Sequence, residues 1–475
     1  MRKTLLSLAL FAAALTAAAD SQTIKLTTQR ATGQPLTLLV NATRSGVTVD
    51  WGDGTPVSYV PAKPGGVQEI TGTVLGETIT IEASKGLVML SAEDCELTAI
   101  DLSKATEMRS LYLQHNLLTS INVSVLPALT DLNLADNALA SVTLSTTKLP
   151  NIETLDLSNN AFTTTSFSYA TTNLRYLNIA NNSYKTMTIS KAANLDALIV
   201  SDNQLTALGL PGSISLLDAR NNNVAKITMP PAGMPMMQQC LLDDNALATL
   251  DLSASSALNT LTIARNGAQS VVLPAKAKLQ VYDCSDNALS FGSLPVKTYA
   301  PTVYFAYAPQ SELDITGNGL HEGSWGSGNL PWLLMNPDYA TRAEAQYQLD
   351  LSAHKDGSAT NSVVFDVYAV QNGEDVLLEK ASATQKTLDY SLVGGKMTLL
   401  KEFRDVYIKM TDPAYPDLVI TTNHFASIDG TKTSIETITT EAPEISTPAY
   451  DLQGRRVSEV GQGLYIQNGK KIIVK

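Results

Sequence analysis

An asparagine returns along this chain at positions 116, 137, 160, 182, 203, 222, 245, 266 and 287, each 19 to 23 residues after the last. One interval earlier, the copy MLSAEDCELTAI carries Cys95 at the same place. Around every copy the apolar residues keep the same offsets, as in LYLQHNLLTSI, DLNLADNALASV and TLTIARNGAQSV. A polar side chain held in register through ten copies, always between apolar neighbours, requires a chain that coils once per copy. A single unit of this size has no partner for its apolar face, so the copies must stack into a continuous core. Chance alternation in an ordinary β protein does not keep such a register.

The consensus L-x-x-L-x-L-x-x-N-x-L-x-x-I-x-L resembles the leucine-rich repeat. Its L-x-L pair predicts a short strand with alternate residues inward, as in Leu111 and Leu113, Leu132 and Leu134, and Leu155 and Leu157. The asparagine stands where the chain leaves the strand, and its amide can satisfy backbone groups that the turn would bury unpaired. Cys95 replaces it with a weaker donor at the edge of the stack. Later apolar residues such as Leu118 and Ile121 close the far side of the coil. The register also places the three cysteines: Cys240 takes the first leucine slot of one strand, and Cys284 the second slot two repeats on. Strands about 4.8 Å apart set those backbones roughly 10 Å apart, beyond the ~7 Å reach of a disulfide. All three are expected to be buried, unbridged side chains.

The first residues, MRKTLLSLALFAAALTAAAD, have the basic start, short apolar run and small residues of a secretory signal peptide, predicted over 1–19. The run is too short to cross a bilayer comfortably, and no later stretch reaches spanning length. A formal charge of -12 without a basic stripe argues against nucleic acid as a partner. At 44% hydrophobic and 16% charged residues the composition is globular.

Residues 20–85 read as short strands and form an N-terminal β cap in this reading. Its landmark is VTVDWGDGTPVSY, a tight hairpin resembling the turn of polycystic-kidney-disease-type surface modules. Asp50 and Asp53 are candidate calcium ligands, but the spacing lacks further oxygen donors, which favours a structural turn. The repeat domain spans 86–296, and the asparagine ladder is expected to stop after Pro295. Residues 297–430 combine a Gly-rich linker, with Trp325 and Trp332, and alternating runs such as VVFDVYAV that suggest an immunoglobulin-like antiparallel sandwich. Residues 431–475 are a Thr/Glu/Pro linker and a small β segment.

No residues point to chemistry. The four histidines, His115, His321, His354 and His424, make no paired-ligand spacing. No nucleophile elbow, phosphate loop or dinucleotide fingerprint occurs. The sequence therefore supplies no catalytic residues, no metal ligands and no cofactor site. The informative surface is the strand face of the solenoid, expected to be concave. The candidate partner-binding residues there are Tyr112, Gln114, Asp131, Asn133, Asp156, Tyr176, Asn178, Asp218, Arg220, Asp243, Thr262 and Asp283. This face reads as polar and mostly acidic, with Tyr112 and Tyr176 as aromatic anchors and a basic or hydroxyl-rich partner as its complement.

The expected architecture is thus mainly β: a leucine-rich-repeat solenoid of about ten 21-residue repeats between a β cap and an immunoglobulin-like β-sandwich. The ending, with Y-D-L-Q-G-R-R-V, G-L-Y-I and K-K-I-I-V-K, resembles the C-terminal sorting module of the type IX secretion system of Bacteroidetes. Together with the signal and the repeats, the chain resembles the internalin-like leucine-rich-repeat surface proteins of that phylum. That resemblance implies secretion to the outer surface of a Gram-negative bacterium. It also implies adhesion to a protein or glycan partner on a host, on other bacteria or in biofilm matrix. A structural spacer without selective binding and a glycan-active enzyme are the alternatives left open.

Overall fold

The computed structural model describes residues 21–312 apart from 44–45, 62, 64, 143–148, 165–172, 188, 276–277 and 295–303. It also describes 347–351, 362–425 apart from 383, 386–387, 394 and 402, and the tail segments 449–450, 456–457, 463–467 and 470–474. The signal-like start, the linker with Trp325 and Trp332, His321, His354 and the linker 431–448 lie outside the described residues. Every regular element described is a β-strand.

Each repeat contributes a three-residue strand, from Ser110–Tyr112 to Val281–Asp283, to one 13-stranded sheet. Neighbouring strands pair in parallel with the leucines in register, Leu111 beside Leu132, Leu132 beside Leu155, and Leu155 beside Leu177. Parallel pairing follows from coiling, because every strand is entered from the same side after one turn of chain. The paired leucines Leu111, Leu113, Leu132, Leu134, Leu155 and Leu157 are at most 1% exposed. On the far side Leu118 is buried as expected, whereas Ile121 is half-buried and Val123 takes the interior place.

The ladder residues bond in one repeated pattern. Asn203 Nδ2 donates to the carbonyls of Ile179, Val200 and Ser201, at 2.9, 3.2 and 3.1 Å. Its Oδ1 accepts the N–H of Tyr184 in the preceding turn at 3.0 Å. Asn137, Asn160, Asn182, Asn222, Asn245 and Asn266 repeat the three-carbonyl contact. One side chain thereby closes its own turn and ties it to the turn before. Cys95 keeps part of this role, its thiol donating to the Glu93 carbonyl two residues back at 3.2 Å. All three cysteines are buried and free.

Two features exceed the sequence reading. The parallel sheet continues past Pro295 with Tyr304–Ala306, paired to Val281–Asp283. Gln310 then stands in the ladder, its Nε2 donating to the Cys284 and Tyr307 carbonyls and its Oε1 accepting the Leu289 N–H. The ladder therefore does not stop where the asparagines do; one more methylene carries the same amide. The second feature is the residue before each ladder position, which has φ between 51 and 58° in all ten copies, from Asp94 to Asp286. Eight of the ten are Asp or Asn, the types that tolerate the left-handed region best among side-chain-bearing residues.

The N-terminal strands form two sheets. Val57–Tyr59, Val47–Asp50, Thr78–Ala83, Gln22–Thr28 and Leu97–Asp101 make one, in that order. Pro35–Ala42 and Gln68–Thr73 extend the long sheet, with Pro35–Ala42 antiparallel to Leu87–Ser91. The cap thus prolongs the solenoid sheet and covers its first apolar strand. Trp51 is buried, its indole N–H donating to the Tyr59 hydroxyl at 3.1 Å. Gly72 gives it room, since a Cβ there would lie 2.0 Å from the indole ring. In the WGDGT turn Asp50 Oδ1 accepts the N–H groups of Gly52 and Gly54, and Asp53 Oδ1 accepts the Thr55 N–H and hydroxyl. These are the bonds of a structural turn.

The described residues divide into two compact units, the first holding those up to 312 together with 362–364 and 410–420. In the second, Tyr347–Asp350, Lys396–Leu399 and Tyr390–Val393 pair antiparallel. Among the described residues from 362 to 425 a four-stranded sheet runs Glu374–Leu377, Val364–Gln371, Val406–Thr411 and Val419–Thr421. The tail strands Ala449–Tyr450, Gly463–Gln467 and Lys470–Val474 pair antiparallel as a small separate sheet.

Candidate functional site

Each three-residue strand of the long sheet turns two side chains outward, one on either side of a central residue that is buried in every strand from Ser110–Tyr112 to Val281–Asp283. The register lines these into two rows. The first runs Ser110, Asp131, Thr154, Tyr176, Ala197, Leu216, Gln239, Thr260, Val281 and Tyr304. The second runs Tyr112, Asn133, Asp156, Asn178, Ile199, Asp218, Leu241, Thr262, Asp283 and Ala306. Of the candidate residues, Asp131 and Tyr176 fall in the first row. Tyr112, Asn133, Asp156, Asn178, Asp218, Thr262 and Asp283 fall in the second. Gln114, Arg220 and Asp243 follow at the strand exits. All twelve lie on one face.

Most of the polar ones already have partners. Asn133, Asp156, Asn178 and Asp283 each accept the backbone N–H two residues ahead through Oδ1. They are turn residues as well as face residues, because the backbone bends out of the strand just there. Asp156 also accepts the Asn178 amide at 3.0 Å, and Asp131 the hydroxyls of Ser110 and Thr130. Gln114 donates to Glu93 at 2.8 Å. Asp243 accepts the Thr262 hydroxyl at 2.6 Å and the Ala264 N–H at 2.8 Å. Burial nonetheless pushes the Asp243 carboxyl above the ordinary value, against those two bonds.

Asp218 departs from the expectation of an available face carboxylate. It is 8% exposed and held by Arg220, whose Nε and Nη2 donate to it at 2.9 and 2.6 Å. Its row explains the burial, because Ile199 and Leu241 flank it on the adjacent strands. That bond raises the Arg220 guanidinium above its usual range.

The face is also less uniformly acidic than the sequence reading has it. Tyr176, Ala197, Ile199, Leu216 and Leu241 occupy outward slots on four consecutive strands and are all half-buried. They make an apolar strip at mid-sheet, edged by Asn178 on one side and the Asp218–Arg220 pair within it. The signal was present in the strings ALIVS and QCLLDD, where an apolar residue fills the slot between inward-facing ones. Tyr176 joins this strip, and burial raises its hydroxyl pKa. Tyr112 stands apart, three strands away in the other row.

At the rim the left-handed residues form a polar ladder of their own. Asn181 donates to Asn159, Asn221 to Asp202, and Arg265 to both oxygens of Asp244 at 2.6 Å. Among the described residues no group of three or more His, Cys, Asp and Glu side chains is placed to hold a metal ion.

No family model matches the chain. Human podocan-like protein 1 is 31% identical over 178 residues, 35% of this chain and 31% of that protein. The chain thus spans about a third of the length of the curated relative it matches. A leucine-rich-repeat protein of Leptospira interrogans shares 23% identity over 45% of this chain and 57% of its own, with a TM-score of 0.38. The functional domain of InlJ from Listeria monocytogenes, which includes a cysteine ladder, shares 16% identity over 73% and 93%, with a TM-score of 0.37. The leucine-rich-repeat solenoid rests on the chain's own strand register and ladder.

Proposed function

We propose that this chain is an exported binding protein that grips a protein partner on the face of its long parallel sheet. The observation that carries the reading is the apolar strip of Tyr176, Ile199, Leu216 and Leu241 in slots that elsewhere on the face are mostly polar. Half-buried aliphatic and aromatic side chains around a clamped Arg–Asp pair have the make-up of an interface centre, with a polar surround that excludes water. Rigidity favours the same use, since strands locked by a ladder lose little freedom on binding. The signal-like start and sorting-like ending support export to the surface of a Gram-negative cell, where adhesion to host, bacterial or matrix proteins is the role.

The test is a pull-down of the mature protein against host extracellular proteins and the producer's own envelope, beside a Leu216→Asp/Leu241→Asp variant. Two anchor losses of about 2 kcal/mol each weaken a true partner by roughly three orders of magnitude. A partner retained equally by both proteins would sink the reading, provided circular dichroism shows the variant folded. Export is checked by fractionation and N-terminal sequencing; an uncut chain in the cytoplasm counts against it.

A further inference from the structure

Away from the long sheet, four consecutive turns place a three-residue strand at the same slot of the coil: Ala207–Gly209, Lys226–Thr228, Thr249–Asp251 and Ser270–Val272. They pair in parallel as two couples, the first with the second and the third with the fourth. The second and third belong to separate sheets. The break coincides with the 23-residue interval from Asn222 to Asn245, where Pro230, Pro231 and Gly233 follow the strand. The two turns still touch at Gly233, where a Cβ would come within 2.3 Å of the Ala254 Cβ. Between the strands they leave a cleft of about 490 Å³, lined by Ile227, Met229, Met234, Thr249, Asp251 and Ser255 among others.

The edges of that cleft are complementary. In a parallel ladder, alternate residues aim both backbone groups at one neighbour. Thr228 and Leu252 bond outward, to Leu210 and Val272. That alternation turns the N–H and C=O of Ile227 to the cleft from one side, and those of Thr249 and Asp251 from the other. A second observation is independent of the backbone. Ser255 is 1% exposed, lines the cleft, and its hydroxyl has no hydrogen-bond partner among the described residues. Equivalent positions in other turns are the buried alanines Ala105 and Ala192, whose N–H groups make the same bond to the carbonyl three residues back. A buried hydroxyl without a partner is costly, and this turn carries one where others carry a methyl.

We infer that this cleft is a second binding site, which takes an extended peptide segment of a partner protein as an added strand between Lys226–Thr228 and Thr249–Asp251. Main-chain bonds to Ile227 on one side and to Thr249 and Asp251 on the other supply the affinity, as in strand addition at open sheet edges. A hydroxyl-bearing side chain of the segment satisfies Ser255. Lys226 and Asp251 put one charge of each sign at the edges, so the segment is uncharged. The site is separate from the long-sheet face and stands or falls without it.

The probe is the blocked pentapeptide acetyl-Thr-Val-Thr-Val-Thr-amide, titrated into the full-length exported chain and followed by calorimetry and hydrogen exchange. Saturating peptide is expected to slow exchange about tenfold or more in the segments 225–229 and 248–252, because formed strand bonds must open before exchange. The same peptide N-methylated at its central residues is expected not to bind. Thr249→Pro removes a donor that the existing sheet does not use, at a first strand position where proline is tolerated. It should abolish binding, while Thr249→Ala keeps it. No protection at millimolar peptide, or equal binding of the N-methylated peptide or of the Thr249→Pro variant, overturns the inference.

Discussion

Asn203 spends its whole amide on backbone: three carbonyls take its N–H groups and the Tyr184 N–H takes its oxygen. Because it is buried, Asn203→Ala leaves groups that water does not reach. A loss of roughly 3 kcal/mol in urea unfolding is expected, dominated by the orphaned Tyr184 N–H. Asn137 makes the same bonds but is half-buried, so its alanine variant should lose only about 1 kcal/mol. Equal losses would contradict the role of burial. Asp243 carries a pH prediction. Burial raises its folded pKa above the unfolded value, so between the two the native state binds more protons. Stability therefore falls as pH rises through that window, from about 3.9 upward, and is level above it. Asp243→Asn should flatten that slope in urea midpoints measured across the window; an unchanged slope would show another group responsible. The ladder and the buried cysteines were legible in sequence, because each repeats or substitutes a slot. The burial of Asp218 was not. It depends on Ile199 and Leu241, which lie 19 and 23 residues away and become neighbours only through pairing.

Strands three residues long are poor elements alone, and here their interior leucines and the exits between them do the specifying. The L-x-L pairs showed where the long-sheet strands lie, since a buried residue alternates with outward ones. The far-side strands escaped notice because KIT, TLD and SVV carry a single inward residue each, too few to show a period. The strand Tyr304–Ala306 escaped because its ladder residue is Gln310, one methylene longer than the pattern. In the cap, Gly72 is an element-scale constraint set by Trp51, which is packed where a side chain would be. Gly72→Ala must push the indole or the strand aside, at about 1–3 kcal/mol of strain, together with loss of the Trp51–Tyr59 bond. The expected result is a lowered unfolding midpoint with altered tryptophan fluorescence. The three thiols give another check, since burial pushes Cys95, Cys240 and Cys284 up to about 12. None should react with iodoacetamide in native protein at mildly alkaline pH, and all three should react in urea.

At the scale of the molecule, a solenoid's stability is nearly a sum over turns and the contacts between neighbours, so whole turns are separable in a way that parts of turns are not. Residues 204–222 run from just after one ladder asparagine through the next. Their removal joins Asn203 to Asn223 and leaves every remaining residue in its slot. Asn203 Oδ1 and Nδ2 still face the turn before, and Asn245 takes the place that Asn222 held against the new neighbour. Such a deletion should fold cooperatively with a moderately lower unfolding midpoint. It should shorten the solenoid by one strand spacing, about 4.8 Å. It also takes Leu216 and the Asp218–Arg220 pair out of the long-sheet face, so retention of a protein partner should fall together with the shortened strip. A deletion out of register, residues 204–213, removes about half a turn and leaves Asn222 only nine positions after Asn203, too few to coil back to the sheet. That would set apolar side chains outward and polar ones inward on every strand it disturbs, and should give aggregated or non-cooperative protein. If both deletions unfold alike, turn-by-turn additivity fails for this chain; if both fold alike, the ladder register is not what specifies it.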